Sequence, residues 1–289
     1  MQDLAPKTLR EALQLGVQHL RQSGVEHPRA EAEHLLSAAT GLTRAQLLAH
    51  HDASLSPAAW ETYRGWIERR AQGEPIAYLV GYTWFYDVRL HITPDVLIPR
   101  PETELLVERT LALLRPRGAR VRLADVGTGS AAILVALGRH LPRARLWGTD
   151  ISPRALRVAR HNVRAHRLTD RCLLVQADVL APLKGPFDVI VANLPYVGTG
   201  ETAVVDPRVL EYEPPEALWA GPQGLDLIRR LVDQVPGRLV PGGYLLLEIG
   251  YRQEQAVRQL IRQRLPSSRV QVHRDLAGHP RVVEVRYEE

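Results

Sequence analysis

The sequence has 289 residues, of which 45% are hydrophobic and 24% are charged, a composition typical of a soluble globular protein with room for two domains. Its single cysteine, Cys172, excludes an internal disulfide and a multi-thiolate metal site, and it favours a reducing compartment. Residues 1–80 carry 8 Arg and Lys against 9 Asp and Glu, whereas the remainder carries 29 against 23, so the N-terminal part does not have the charge of a polyanion-binding surface.

No segment has the pattern of a secretion signal or a membrane span. Residues 1–7 lack an apolar signal core, and no later stretch approaches the ~18 continuous apolar residues that would cross a bilayer. We therefore expect a cytoplasmic protein with no membrane partner.

Residues 1–70 have the pattern of a small all-α bundle. Thr8 and Glu11 have capping-box spacing, in which the two side chains satisfy free amides at the start of a helix reciprocally. The Ser56-Pro57 pair is typical of an N-cap followed by proline at the first helical position. Residues 71–99 are predicted to form a linker that contains a β-hairpin, because glycines and prolines flank a β-rich stretch.

From residue 100 onward, candidate strands and helices alternate. The candidate strands are 121–126, 144–149, 172–177, 187–192, 244–249, 270–274 and 282–286. The last two are too close in sequence for an intervening helix, so they should pair antiparallel. This order predicts an α/β domain over 100–289, a Rossmann-like doubly wound sheet with a terminal antiparallel hairpin and ligands at the carboxyl ends of its strands.

A glycine-containing loop follows the first of these strands and leads into a helix. Its glycines allow a tight turn that brings backbone amides close to a ligand. The loop by itself is a weak signal, because Ala131 and Ala132 stand where nucleotide-binding fingerprints usually have glycine. Its candidate cofactor-binding residues are Asp125, Gly127, Thr128, Gly129, Ser130 and Ala131.

Acidic residues end the next two strands. Asp150, 23 residues after Gly127, can accept both hydrogen bonds of a ribose diol, an arrangement that dinucleotide and S-adenosylmethionine sites share. Asp178, followed by Val179, lies where the amino group of an adenine would be. Either acid alone could instead cap the helix after its strand, so the cofactor assignment depends on the two occurring together.

The fourth strand ends in Asn193, Leu194, Pro195 and Tyr196, similar to the Asn-Pro-Pro-Tyr motif of methyltransferases that act on planar nitrogens. Such a nitrogen is a poor nucleophile because its lone pair is delocalised. The Asn193 side-chain oxygen and the Leu194 carbonyl can accept its N–H bonds and direct the nitrogen at a methyl group, while Tyr196 stacks on the flat group. These four residues are the predicted catalytic motif, with Asn193 also at the cofactor, and no metal is required. Alone, the motif could be an ordinary Asn-x-Pro turn.

Taken together, the motifs resemble those of protein glutamine-N5 methyltransferases that modify peptide-chain release factors, the HemK/PrmC family. Further motifs of that family occur in order at 97–104, 213–218, 242–243, 247–250 and 275–281. The resemblance covers essentially the whole chain. It implies a class I S-adenosylmethionine-dependent methyltransferase, S-adenosyl-L-methionine as methyl donor, and the glutamine of the release factor's Gly-Gly-Gln tip as acceptor. It also implies that the helical N-terminal domain helps to hold the release factor.

The sequence departs from the family pattern at three places. Ala131 and Leu194 stand where the family usually has glycine and proline, and residues 221–225 differ from its usual glycine- and acid-containing run. The departures at Ala131 and Leu194 leave open a catalytically weak methyltransferase-like binding protein. A second alternative is an adenine-N6 methyltransferase acting on DNA or RNA, because the same tetrapeptide can present an exocyclic nitrogen after base flipping. The near-neutral N-terminal part argues against direct binding of nucleic acid.

Two other features suggest contacts with a partner. The segment 197–224, about 28 residues long, is expected to grip the substrate, with disorder as the alternative. Arginines recur every three or four residues after Asp150, and this spacing places them on one helix face, either solvated or an electrostatic patch. They are Arg154, Arg157, Arg160, Arg164, Arg167 and Arg171.

Overall fold

The computed structural model describes residues 6–114, 120–202 and 205–288. The chain divides into two compact units, and the boundary along the sequence falls between Gly81 and Tyr82. This break lies inside the stretch 71–99, where the sequence predicts a linker.

The first unit is helical. Its helices are α1 (Leu9–Gln22), α2 (Pro28–Thr40), α3 (Arg44–Ala49), α4 (Pro57–Ala71) and α5 (Ile76–Val80). Ser56 caps α4 as predicted, since its side chain accepts from the Ala59 amide with Pro57 in the first turn. The predicted capping box at Thr8 is only half formed: Thr8 Oγ1 accepts from the Glu11 amide at 3.2 Å, but the Glu11 carboxylate accepts from the Lys7 amide instead.

A separate hydrophobic core stabilises this unit. Leu20 of α1, Leu35 and Leu36 of α2, and Tyr63 and Ile67 of α4 are fully buried against one another. Burial of one such side chain contributes about 1.5–3 kcal/mol, so these helices have their own source of stability.

The second unit begins with the predicted hairpin, β1 (Tyr82–Phe85) and β2 (Val88–His91), which pair antiparallel. A short 3-10 turn, Pro101–Thr103, then leads into α6 (Glu104–Leu114). The main sheet is formed by β3 (Arg122–Val126), β4 (Arg145–Asp150), β5 (Cys172–Gln176), β6 (Phe187–Ala192), β7 (Leu239–Glu248), β8 (Arg269–Arg274) and β9 (Pro280–Arg286). The helices that accompany it are α7 (Ala132–His140), α8 (Pro153–Ala165), α9 (Pro207–Tyr212), α10 (Asp226–Gln234) and α11 (Glu254–Arg264).

The seven strands lie in the order β5-β4-β3-β6-β7-β9-β8, and β9 runs antiparallel to both of its neighbours. The predicted fold class is confirmed. The chain moves outward from β3 through β4 to β5 and then returns to place β6 on the other side of β3. This reversal opens a crevice at the carboxyl ends of β3 and β6, where ligands of doubly wound sheets bind.

One predicted strand differs in length. β7 begins at Leu239 rather than near residue 244, and its pairing with β6 shifts register between Phe187 and Val189. Pro241, Gly242 and Gly243 lie inside it, and such residues disfavour a strand in sequence patterns. Among the described residues, no helix combines the length and apolar character needed to cross a membrane.

Candidate active site

A cavity lies at the carboxyl ends of β3, β4 and β6. Ten of the residues predicted for the site line it: Gly127, Thr128, Gly129, Ser130, Asp150, Asp178, Val179, Asn193, Leu194 and Pro195. Three others, Asp125, Ala131 and Tyr196, do not line it. The fold thus brings most of the predicted residues together and places the remaining three behind the cavity wall or beside it.

The glycine loop is fastened to the end of β4. The amides of Gly127 and Thr128 both donate to the Thr149 carbonyl, at 2.9 and 2.8 Å. Gly127 has a φ of 72°, and a Cβ added there would lie 2.8 Å from a methyl group of Leu194. Glycine at 127 therefore satisfies the turn and also leaves room for the residue that replaces proline in the catalytic motif.

Ala131 adopts the left-handed conformation that usually favours glycine. Its φ is 64°, its side chain is fully buried, and it is the N-cap residue of α7. Left-handed backbone costs an L-residue roughly 1–2 kcal/mol, which gives a physical reason for glycine at this position in related sequences. Ala131 supports the turn from behind, whereas Ala132 lines the cavity.

Asp125 lies beneath the loop in a fully buried position. Its Oδ2 accepts a hydrogen bond from Thr128 Oγ1 at 2.7 Å, and its Oδ1 has no partner among the described residues. Burial raises the pKa of Asp125 to about 7, with a smaller increase from the charge of Asp150, while the Thr128 hydrogen bond opposes the rise. Asp125 therefore shapes the loop from behind.

Asp150 sits in the cavity wall at the end of β4. Its Oδ2 accepts from the Gly129 amide and its Oδ1 from the Ser152 amide, both at 2.9 Å. Burial raises the pKa of Asp150, the two backbone amides lower it, and the charge of Glu216 raises it further. The N-cap of α8 is Ser152, whose side chain accepts from the Ala155 amide, so Asp150 does not serve as that cap.

Asp178 and Val179 line the cavity beyond β5. Both carboxylate oxygens of Asp178 accept from Arg230 Nη1 of α10, at 2.8 Å. Val179 has a φ of 58°, a strained value for a β-branched residue. Strain of about 1–3 kcal/mol of this kind is typical of sites where the backbone must face a ligand.

Asn193 and Leu194 follow β6 at the mouth of the crevice. Asn193 Nδ2 donates to Thr103 Oγ1 at 3.0 Å. Among the described residues, no donor reaches Asn193 Oδ1 or the Leu194 carbonyl oxygen. Within the described part of the chain, both oxygens therefore remain unpartnered acceptors.

Tyr196 lies beside the cavity, and its ring is mostly buried. Burial raises the pKa of Tyr196 to about 12, with a further increase from the charge of Glu248. The next residue, Val197, forms a short parallel bridge with Trp219. The predicted catalytic motif is thus held from its C-terminal side by the segment 197–224.

Two further segments line the cavity that were not predicted as site residues. Asp95, Val96, Leu97, Pro99 and Thr103 come from the stretch before α6, and Pro214, Glu216 and Ala217 come from segment 197–224. The buried Glu213 joins them: its Oε2 accepts from the Ile98 amide at 3.2 Å, and its Oε1 pairs with Arg100. Several of these residues belong to the family motifs at 97–104 and 213–218, so the sequence held a signal from which their place in the site could have been predicted.

Comparison with known proteins identifies the family. Residues 11–81 match the family model described as the PrmC N-terminal domain, and residues 101–211 match the methyltransferase small domain. A protein of Moorella thermoacetica named release factor glutamine methyltransferase is 46% identical over 275 residues, which cover 95% of this chain and 96% of that protein. The chain belongs to the release factor glutamine methyltransferase family.

Another member of this family, from Koribacter versatilis, is 39% identical over 278 residues, covering 96% of this chain and 97% of that protein. The fold agrees with a solved structure of the N-terminal domain of human METTL16 in complex with SAH. The two structures align with a TM-score of 0.52 and 16% sequence identity. The alignment covers 69% of this chain and 76% of the METTL16 chain. The family resemblance seen in the sequence motifs is confirmed.

The prediction that six arginines share one helix face is wrong for the last two, because α8 ends at Ala165 and both Arg167 and Arg171 follow it. Arg171 lies past the helix and donates to the carbonyls of Leu141 and Ala144 at 2.9 and 3.2 Å, and to that of Gly138, so it caps the end of α7. Arg157, Arg160 and Arg164 are exposed.

Among the described residues, no group of three His, Cys, Asp or Glu side chains could hold a metal ion.

Proposed function

We propose that this protein transfers the methyl group of S-adenosyl-L-methionine to the side-chain amide nitrogen of the glutamine in the Gly-Gly-Gln motif of peptide chain release factors. The observation that carries this proposal is the pair of unpartnered acceptors, Asn193 Oδ1 and the Leu194 carbonyl, beside the cavity at the end of β6. A primary amide has two N–H donors on one planar nitrogen, which this pair of acceptors matches.

The cavity has the chemistry that S-adenosylmethionine requires. Asp150 keeps acceptor capacity for a ribose diol beyond its two backbone hydrogen bonds, because each carboxylate oxygen has a second lone pair. We assign the adenine end to Asp178 and Val179, and the methionine end to the loop that holds Gly127, Thr128, Gly129 and Ser130. When bound, the cofactor supplies a methyl group on a positively charged sulfur.

The residues of the catalytic motif act by orientation. Asn193 Oδ1 and the Leu194 carbonyl accept the two N–H bonds, and the nitrogen lone pair is then directed into the cavity. As the N–CH₃ bond forms, the S–CH₃ bond breaks to leave a neutral thioether, and the nitrogen releases one of its two N–H protons. Pro195 restricts the backbone between these acceptors and Tyr196, whose ring we assign to contact with the substrate amide. Fixed positions and dipoles of this kind can contribute ~7–11 kcal/mol in favourable cases.

We assign the helical N-terminal domain, predicted over residues 1–70, to holding the release factor. Its own buried core and its match to a separate family model support an independent role. Catalysis belongs to the domain predicted over 100–289, with 71–99 between them. We also propose a cytoplasmic location and a protein substrate, and we expect neither a membrane partner nor direct binding of nucleic acid.

Incubation with isotopically labelled S-adenosylmethionine and purified release factor tests the proposal. Peptide mass mapping should find one added methyl group on the glutamine of the Gly-Gly-Gln peptide. A release factor with that glutamine changed to alanine is the control and should stay unlabelled. Label on DNA or RNA instead would support the adenine-N6 alternative, and cofactor binding without transfer would support the binding-protein alternative.

A further inference from the structure

Thr103 holds the amide of Asn193 at the end opposite to its free acceptor. Asn193 Nδ2 donates to Thr103 Oγ1 at 3.0 Å, although the two residues are 90 positions apart in the chain. Thr103 is 3% exposed, and its own amide donates to the Arg100 carbonyl at 3.1 Å, which fixes its place in the 3-10 turn. With Nδ2 held there, Oδ1 remains as the acceptor, since the two atoms are rigidly opposed on one planar group.

Glu248 lies behind Thr103, at the end of the strand next to β6. Its side chain is buried, and its Oε2 has no hydrogen-bond partner among the described residues. Burial raises the pKa of Glu248 to about 7, and the charge of Arg281 opposes this rise. Because Asn193 Nδ2 is the donor in its contact with Thr103, the Thr103 hydroxyl oxygen is the acceptor.

We propose that Thr103 is a positioning residue that fixes the Asn193 amide with Oδ1 directed at the substrate nitrogen. The inference rests on the proposed function, because only an acceptor at this point aligns a planar N–H₂ group for methyl transfer. Without the Thr103 hydroxyl, the amide can turn over and present Nδ2 to the substrate. A donor would then face a donor, and the nitrogen would lose its alignment.

The matched pair Thr103→Val and Thr103→Ser tests the role of the hydroxyl. Valine keeps the size of the side chain without a donor or acceptor, whereas serine keeps the hydroxyl. For Thr103→Val we expect kcat to fall by about 10- to 100-fold, with the KM for the release factor and the cofactor Kd changed by less than about threefold. Thr103→Ser should keep kcat within about threefold of wild type.

Thr103→Ala is a second hydroxyl-free variant, in case valine prevents folding, and it should lose kcat in the same way. Wild-type kcat in a folded hydroxyl-free variant would overturn the inference. Equal losses in the serine and valine variants would also overturn it, because side-chain shape rather than the hydroxyl would then be responsible.

A double-mutant cycle separates positioning through Asn193 from a general structural effect. If Thr103 acts only by orienting Asn193, Thr103→Val should cause no further loss of kcat in an Asn193→Ala background. Additive losses would contradict this.

An NMR measurement tests the orientation of the Asn193 side-chain amide and does not depend on methyltransferase activity. The side-chain amide signal of Asn193, identified by its loss in Asn193→Ala, should shift in Thr103→Val and stay in place in Thr103→Ser. An unshifted signal in the valine variant would overturn the inference. If the wild-type protein does not methylate the release factor, the proposed function is wrong. The NMR signal of the Asn193 amide would still show whether the Thr103 hydroxyl holds that amide.

Discussion

The main-chain carbonyl of Tyr196 accepts a hydrogen bond from Gln253 Nε2 at 2.9 Å. The same nitrogen lies 3.2 Å from the Gly224 carbonyl, and Gln253 Oε1 accepts from the Gly250 amide at 2.9 Å. One side chain therefore joins the end of the catalytic motif, the end of segment 197–224 and the turn after β7. This arrangement requires close packing of backbone against backbone.

Gly224→Ala should disturb the catalytic motif. A Cβ at this position would lie 2.0 Å from the Tyr196 carbonyl oxygen, and the residue has a φ of 69°. We expect at least a tenfold loss of kcat, about 1.4 kcal/mol, together with a lower midpoint of urea unfolding. Gly237→Ala is the matched control, because its φ of 72° is similar and nothing lies within 4 Å of an added Cβ. Similar kcat values in the two variants would contradict the importance of the close approach.

Asn193→Ala should abolish most of the activity without loss of the cofactor. The substitution removes the acceptor that aligns the substrate nitrogen, and removal of one preorganised polar group typically costs ~2.7–4 kcal/mol in kcat. Single-turnover methylation of the release factor measures the effect, and calorimetry measures cofactor affinity. A near wild-type rate would remove Asn193 from the catalytic assignment.

Asp150→Ala should weaken binding of S-adenosylmethionine by roughly 1.5–3 kcal/mol, because it removes a charge-assisted acceptor for the ribose. Calorimetry on the folded variant provides the measurement. Asp233→Ala, at a half-exposed residue paired with Arg264, is the control and should bind the cofactor like wild type. Unchanged affinity in Asp150→Ala would exclude Asp150 from the cofactor site.

Asp125 should make stability depend on pH. Its folded-state pKa of about 7 lies above the ordinary 3.8, so its stabilising contribution is complete below pH 3.8 and is lost as the pH rises through 7. Asp125→Asn keeps an oxygen acceptor for Thr128 but does not titrate. As the pH rises from 3.8 to 7, the free energy of unfolding of Asp125→Asn minus that of wild type should therefore increase by about 2–4 kcal/mol. Above pH 7 this difference should stay constant. Urea unfolding at several pH values would contradict this if the difference were constant.

A chain that starts at Tyr82 should separate the two proposed roles. The break between the compact units lies just before this residue, so the truncation removes the first unit as a whole. We expect cofactor affinity close to that of the full chain and a higher KM for intact release factor. Equal KM values for the two chains would contradict the docking role of the N-terminal domain.

Much of the fold and site follows from local patterns. The acids at the strand ends and the loop around Gly127 are predictable because parallel strands bring their carboxyl ends to one edge of the sheet. The contact between Thr103 and Asn193 is not, because it joins residues 90 positions apart, and no periodicity encodes such a pair. The engagement of Asp178 by Arg230, 52 positions away, is beyond local patterns for the same reason.

The contacts that fasten segment 197–224, including those of Glu213, lower its conformational entropy before any substrate binds. The bridge between Val197 and Trp219, the pairing of Glu213 with Arg100, and the contact of Gly224 with Gln253 fasten the segment at several positions. Ordering the backbone of one free residue costs about 1–2 kcal/mol in conformational entropy. At the fastened positions the backbone is already ordered in the folded protein, so binding does not incur this cost there. A substrate that docks against these residues therefore meets a preorganised surface, and more of its contact energy remains available as affinity.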